Sequence, residues 1–255
     1  MTTDMKKFLL PVVLVTMTTG LFAQTDTDTL DMDEIVNEVN VASPDRDRFV
    51  FNVHWDGWLG AADSIDVGAL SRGVGIHFFY DIPLDAAKQF SFAAGVGWNN
   101  SNYYTKALFA NDSLGNTQVI PFNESQTVTR SKIVLNYVEV PVEFRFRTKP
   151  NTKGNSFKVA VGFKGGYQFA NHTKYVGDDY ILNENNQIIS VDGDSEIKFK
   201  RYRFDNLSAL QYGPTFRIGY GNVNLEAYYG LGNIFQDGQG PTGNPLQIGV
   251  SFNPF

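Results

Sequence analysis

The chemistry available to this chain is narrow. It has no cysteine and three histidines, His54, His77 and His172. With no thiol there can be no thiolate nucleophile, no disulfide and no lipid-bearing cysteine. Hydrolysis would need a nucleophile or an activated water beside a base. No G-x-S-x-G, no H-E-x-x-H and no paired Cys/His spacing is present. His54 and His77 fall within runs that read as strands, on the side away from the apolar residues, where a hydrogen-bonded interior role is expected. His172 lies beside Asn171 and Thr173 at the start of a loop, with Asp178-Asp179 nearby. Asp192-Gly193-Asp194-Ser195-Glu196 offers oxygen ligands without the calcium-loop spacing and reads as a solvated turn. No catalytic residue, metal site or cofactor is expected.

The more telling charges are Glu139, Glu143, Arg145, Arg147, Lys164, Arg217 and Glu226. All lie in segments whose apolar residues recur at every second position. Val138-Glu139-Val140-Pro141-Val142-Glu143-Phe144-Arg145-Phe146-Arg147 is the clearest: even positions are apolar, odd ones polar, charged or proline. That is a strand with one oily and one wet face. The same face carries Asn52, His54, Asp56, His77, Asp81, Ser91, Lys158, Gln168 and Asn224. Gly73, Gly75, Gly95, Gly97, Gly162, Gly166, Gly213, Gly219 and Gly249 lie among them. Glycines give long cationic side chains room, and in a narrow interior carboxylates and bases must pair. The expectation is an ionic plug in which Glu139, Glu143 and Glu226 reach Arg145, Arg147, Lys164 and Arg217. A hydrated conduction path is the alternative.

Eight such runs are read near 49–60, 70–82, 88–99, 132–148, 156–170, 204–220, 222–231 and 245–255. Their apolar sets hold no charged residue, as expected if they face lipid, where Arg or Lys costs ~2–4 kcal/mol at mid-depth. Connections are short after the second, fourth and sixth runs and long elsewhere, near 61–69, 100–131, 171–203 and 232–244. That alternation fits an eight-stranded antiparallel transmembrane up-and-down β-barrel with short periplasmic turns and long extracellular loops. No segment has the roughly 18 uninterrupted apolar residues of a membrane helix.

The ends carry address information. Lys6-Lys7, the apolar Phe8 to Val15 and the small Ala23 read as a secretory signal peptide over 1–23, cleaved near Ala23. Residues 24–48 form an acidic periplasmic leader, with Met32, Ile35, Val36 and Val39 at one-face helical spacing. The barrel is assigned to 49–255. The chain closes on Phe255, a terminal aromatic like the signal read by barrel assembly machinery, although it is out of phase with Leu246 to Phe252. The net charge of −6 gives no support for nucleic-acid binding.

Tyr137-Val138-Glu139-Val140-Pro141 resembles an element of the PorT-like outer-membrane barrels of Bacteroidetes. Gly162-Phe163-Lys164-Gly165-Gly166-Tyr167 is similar to that family's next strand. The resemblance spans roughly 49–255. It implies an eight-stranded barrel and, more distantly, a part in protein secretion, and it assigns no functional residue. Asp28-Thr29-Leu30, Asp63-Ser64-Ile65 and Asp112-Ser113-Leu114 resemble the O-glycosylation sequon of exported proteins of that phylum.

Together these features describe a non-enzymatic barrel in the outer membrane, an accessory or scaffold component of a cell-envelope complex with an unnamed protein partner. A small solute pore is the alternative. The long loops are expected to meet the partner through Tyr103, Tyr104, Phe109 and Phe122, and through Tyr175, Tyr180, Ile181 and Ile188, unless those residues pack the loops together as a cap.

Overall fold

Residues 48–61, 65, 67–122, 126–183, 187–190 and 196–254 are described by a computed structural model. The signal peptide, the leader up to residue 47, the first sequon, Asp63-Ser64 of the second, Asp192 to Ser195 and Phe255 lie outside them. The described residues form thirteen strands. Eight make the barrel: β1 (Phe49–Leu59), β2 (Arg72–Pro83), β3 (Phe90–Tyr104), β6 (Val128–Arg147), β7 (Phe157–Asp178), β11 (Leu210–Tyr220), β12 (Val223–Tyr229) and β13 (Asn244–Phe252). Each pairs antiparallel with the next, and β1 closes the ring against β13. The expected fold is therefore present.

Closure follows from the period-two pattern. Val138, Val140, Phe144, Val161, Phe163, Phe216, Leu225, Ile248 and Val250 all point outward and are exposed. Their intervening neighbours point in and are buried. Two aromatic girdles bound this wall. Trp55, Trp98, Tyr167, Tyr212 and Tyr229 lie toward the long-loop end, and Tyr80, Phe90, Phe157, Tyr220 and Phe252 toward the other. Aromatic rings favour the two interfaces of a bilayer, where one edge is wet. The short turns, 84–89, 148–156 and 221–222, share one end with the start of β1 and the end of β13. β13 stops at Phe252, so the strand does not run on to the last residue.

The long connections differ from their expected form. Two of them, 100–131 and 171–203, are largely β structure. β4 (Ala107–Asn111) and β5 (Thr117–Pro121) form a hairpin inside 100–131. β8 (Tyr180–Leu182) and β9 (Ile188–Ser190) form another, followed by β10 (Glu196–Tyr202). β3, β6 and β7 also run further than their sequence boundaries, to 104, from 128 and to 178. In β7 an extra residue, Phe169, sits between Gln168 and Ala170, which pair with consecutive residues of β6. This bulge switches which side chains face outward, and the simple alternation ends there. Beyond it β7 continues, paired with β6 on one side and with β10 on the other. β11 starts later than its expected 204, because Arg203 and Asn206 take φ of 53° and 65°, a left-handed turn that no strand continues through.

Candidate functional site

The lumen is the first candidate, and it is filled. On its inner wall, Arg217 Nη2 on β11 donates to Glu143 Oε2 on β6 at 2.6 Å, and Arg145 Nε donates to the same oxygen at 2.8 Å. Arg145 Nη1 also lies 3.5 Å from Asp81, and Arg147 pairs with Asp81 from one residue pair lower. The Phe79 ring, which sequence reading left out, is a platform for both inner guanidiniums, at 4.3 Å from Arg145 and 5.8 Å from Arg217. Its odd position in β2 places it inward with His77 and Asp81, which was the available signal.

A second group lies nearer the long-loop end. Glu139 is fully buried and takes Lys164 Nζ at 3.1 Å and Gln211 Nε2 at 2.7 Å. His77 Nε2 lies 2.8 Å from the same carboxylate. An ionised carboxylate only accepts, so that nitrogen carries the proton. Lys164 reaches on to Gln247 at 2.9 Å and sits 4.2 Å from the Tyr228 ring. Gln211, Gln247 and Tyr228 are on the inward face but were not singled out from sequence, although the parity that marks Gln168 and Asn224 also marks them. His54 Nε2 meets Asn99 at 2.9 Å, and its Nδ1 lies 3.1 Å from Asp56.

The register explains how these side chains fit. Gly97 stands opposite His77, Gly73 and Gly249 flank His54, and Gly162 faces Glu143. A Cβ on Gly97 or Gly73 would enter the adjacent imidazole ring. A cavity of about 50 Å³ lies among these side chains, bordered by Glu143, Lys164, Arg217 and Glu226, enough for a few waters. Six of the seven network residues form ion pairs inside the wall. Glu226 does not: it faces Arg217 in the register and borders the cavity, but Arg217 turns to Glu143. The expectation that Glu226 pairs with the lumen cations is corrected there.

The loops are the second candidate. The anchors assigned to a partner are largely spent on the loops themselves. Tyr103 and Phe109 are buried in an aromatic cluster with Trp58, Phe204 and Phe235. Phe235 stacks on Trp58 at 5.8 Å and on Phe109 at 6.1 Å, and meets Phe204 edge-on at 6.4 Å. Ile65, Phe109, Phe204 and Phe235 bring all four long connections to one point over the inward-facing Tyr103, Leu135 and Tyr137. Tyr175 is buried in a neighbouring cluster with Leu108, Ile120 and Ile188, against Phe122 and Tyr180. The partner role given to Tyr103, Phe109, Phe122, Tyr175, Tyr180 and Ile188 is therefore replaced by a cap. Burying these rings against each other removes more apolar surface from water than leaving them exposed. Tyr104 is half-buried on the outer wall beneath Lys132 Nζ, 5.1 Å from its ring centroid. Ile181 remains exposed. Ser113 sits at the exposed tip of the β4–β5 hairpin, where Asp112 Oδ1 accepts from the backbone of Leu114 and Asn116 at 2.8 Å.

A closed antiparallel ring with an apolar wall, two aromatic girdles and a charged interior is a transmembrane β-barrel. The sequence matches the model of a family described as outer membrane protein beta-barrel domain over residues 48–236. The chain belongs to that family, and its place is the outer membrane. The long-loop end then faces outside and the short turns the periplasm. Two variants of the porin of Rh. blastica also match, at 9% identity, covering 80% of this chain and 97% of theirs, with a TM-score of 0.18. Likeness at that level carries no argument. No curated protein matches the chain.

Proposed function

We propose that this is a non-enzymatic outer-membrane barrel, exported through its signal peptide, that serves as an accessory or scaffold component of a cell-envelope complex. The PorT-like resemblance makes protein secretion the process to test first. The filled lumen carries this reading. The Glu143–Arg145–Arg217 and Glu139–Lys164 groups occupy the interior, and an aromatic cap covers its outer end. A barrel closed in this way acts through its outer surfaces and its appended segments. The interior also argues against an enzyme: the His54–Asp56 and His77–Glu139 pairs are buried among hydrogen-bonded partners, away from any substrate.

Detergent extraction of outer membranes after mild crosslinking, with mass spectrometry of what co-purifies, tests the proposal. A defined envelope protein recovered in fixed ratio, and lost when 24–45 is deleted from a barrel that still shifts on heating, supports it. Purification of the protein alone, together with steady single-channel currents in planar bilayers, would replace it with the pore.

A further inference from the structure

The outer wall changes character above the upper aromatic girdle. Below it the outward positions of β6 are Val138, Val140 and Val142; above it they are Asn136, Val134, Lys132 and Arg130. The Phe169 bulge keeps β7 in step, turning His172 and Lys174 outward beside them, while Val134 and Val176 on the same parity are buried. β10 adds Tyr202, Lys200 and Lys198 to the same face. The register then sets Lys132 opposite Lys174, and Lys174 opposite Lys200.

Three lysines thus stand side by side on three neighbouring strands. Like charges directly opposite one another in a sheet repel. Local bonds do not cancel the row. Lys132 donates to Asn102 Oδ1 at 2.6 Å, a neutral partner, and the nearby Glu196 is engaged with Lys198 at 2.7 Å. Among the described residues neither Lys174 nor Lys200 has a carboxylate within ion-pair distance. His172 registers the resulting field, its imidazole held below the ordinary histidine value by burial and by Lys200, Lys132 and Lys174.

Protection of a free sheet edge explains lysines on β10, which is an edge strand. It does not explain Lys132 or Lys174, which lie on paired strands. The row also continues downward to the lipid-facing wall. Lys132 shares a groove of about 240 Å³ with Arg72, Asn100 and Asn102, and its floor includes Val53 and Val74. Val53 and Val74 are exposed outward residues of the apolar band. A ligand here would have apolar chains against the valines and negative charge level with Arg72 and the lysines.

We infer that this face, from Arg72 through Lys132 and Lys174 to Lys200, binds the phosphate-bearing headgroup of an anionic glycolipid in the outer leaflet. Ammonium and guanidinium groups make charge-assisted hydrogen bonds to phosphate oxygens. An anion over the row also removes the repulsion among the lysines. The inference rests on the barrel's membrane placement and not on its role in a complex.

The test uses the full chain refolded into phosphatidylcholine nanodiscs doped with diphosphoryl lipid A or with its dephosphorylated form. Native mass spectrometry reads the lipid retained. The wild type should retain the diphosphoryl form preferentially. Lys132→Gln/Lys174→Gln/Lys200→Gln should bind it about a hundredfold more weakly, as loss of three cations near an anionic surface implies. Lys149→Gln/Lys153→Gln, at the short-turn end, should bind as wild type. Heat-dependent gel mobility verifies that each variant is a folded barrel. Equal retention of the two lipid forms by wild type would overturn the inference, as would unchanged preference in the triple variant. Displacement of the lipid by equimolar inorganic phosphate would make the site one for free anions instead. Failure of the wild type to enter nanodiscs of pure phosphatidylcholine would instead refute the membrane placement itself.

Discussion

Arg217 on β11 and Glu143 on β6 meet at 2.6 Å although β7 lies between their strands. The bond runs along the inner wall over Ala160 and Gly162 of β7, and Arg145 shares the same carboxylate oxygen. Glu143 therefore holds two guanidiniums in a space with little water.

Glu143→Ala removes the carboxylate that both guanidiniums share, leaving Arg145 its longer contact with Asp81. The loss should be on the order of 3–5 kcal/mol where the site is dry, lowered by water from the adjoining cavity. Glu226→Gln, on the same lumen face but without an ion pair, should cost less than about 1 kcal/mol. Urea unfolding followed by heat-dependent gel mobility measures both. Equal midpoints for the two variants would mean that the lumen charges are not structural.

Gly97→Ala should destabilise the barrel by about 1–3 kcal/mol by overpacking against the His77 ring. His77→Ala in the same chain should restore part of that loss, since it removes the ring atoms in the way and leaves the Ile76 carbonyl oxygen, 2.6 Å from the added Cβ. A double-mutant cycle in urea gives the coupling between the two sites. Simple addition of the two losses would show that the glycine does not serve the imidazole.

Phe235→Ala should loosen the cap and leave the barrel. Removal of a buried Phe costs about 3–5 kcal/mol, but Phe235 packs with loop residues and the outer ends of the strands. Backbone hydrogen exchange should rise in 105–121 and 204–209, while β12 and β13 stay protected. Exchange spread evenly over all strands would mean that cap and barrel unfold as one unit.

Val140→Arg, on the exposed outer face of β6, should cost about 2–4 kcal/mol in a bilayer. The same substitution at Lys132, above the girdle, should be nearly neutral to folding. Matched urea unfolding in phospholipid vesicles compares them. A mild effect at Val140 would displace the position of the apolar band.

Much of this architecture is written in alternation. Strand centres, the lipid face, the inward polar set and the sorting of short turns from long loops are local properties: a side chain's face depends only on its parity along a strand. The inward glycines opposite large polar residues could be read the same way. Which inward charges pair could not. Arg217 has Glu226 across from it on the next strand, yet it reaches over β7 to Glu143, a choice made by the pairing of β7 with both β6 and β11. The fate of Tyr103, Phe109 and Tyr175 was equally beyond the sequence. An aromatic in a long loop is suited to a partner or to its own chain, and only the convergence of all four connections on Phe235 assigns it to a cap. The Phe169 bulge is the sharpest case. One extra residue reverses the facing of every side chain beyond it, so that Lys174 joins Lys132 and Lys200 in one row. Parity determined the barrel; the bulge and the closed ring, which depend on pairing between distant strands, decided where its charges stand.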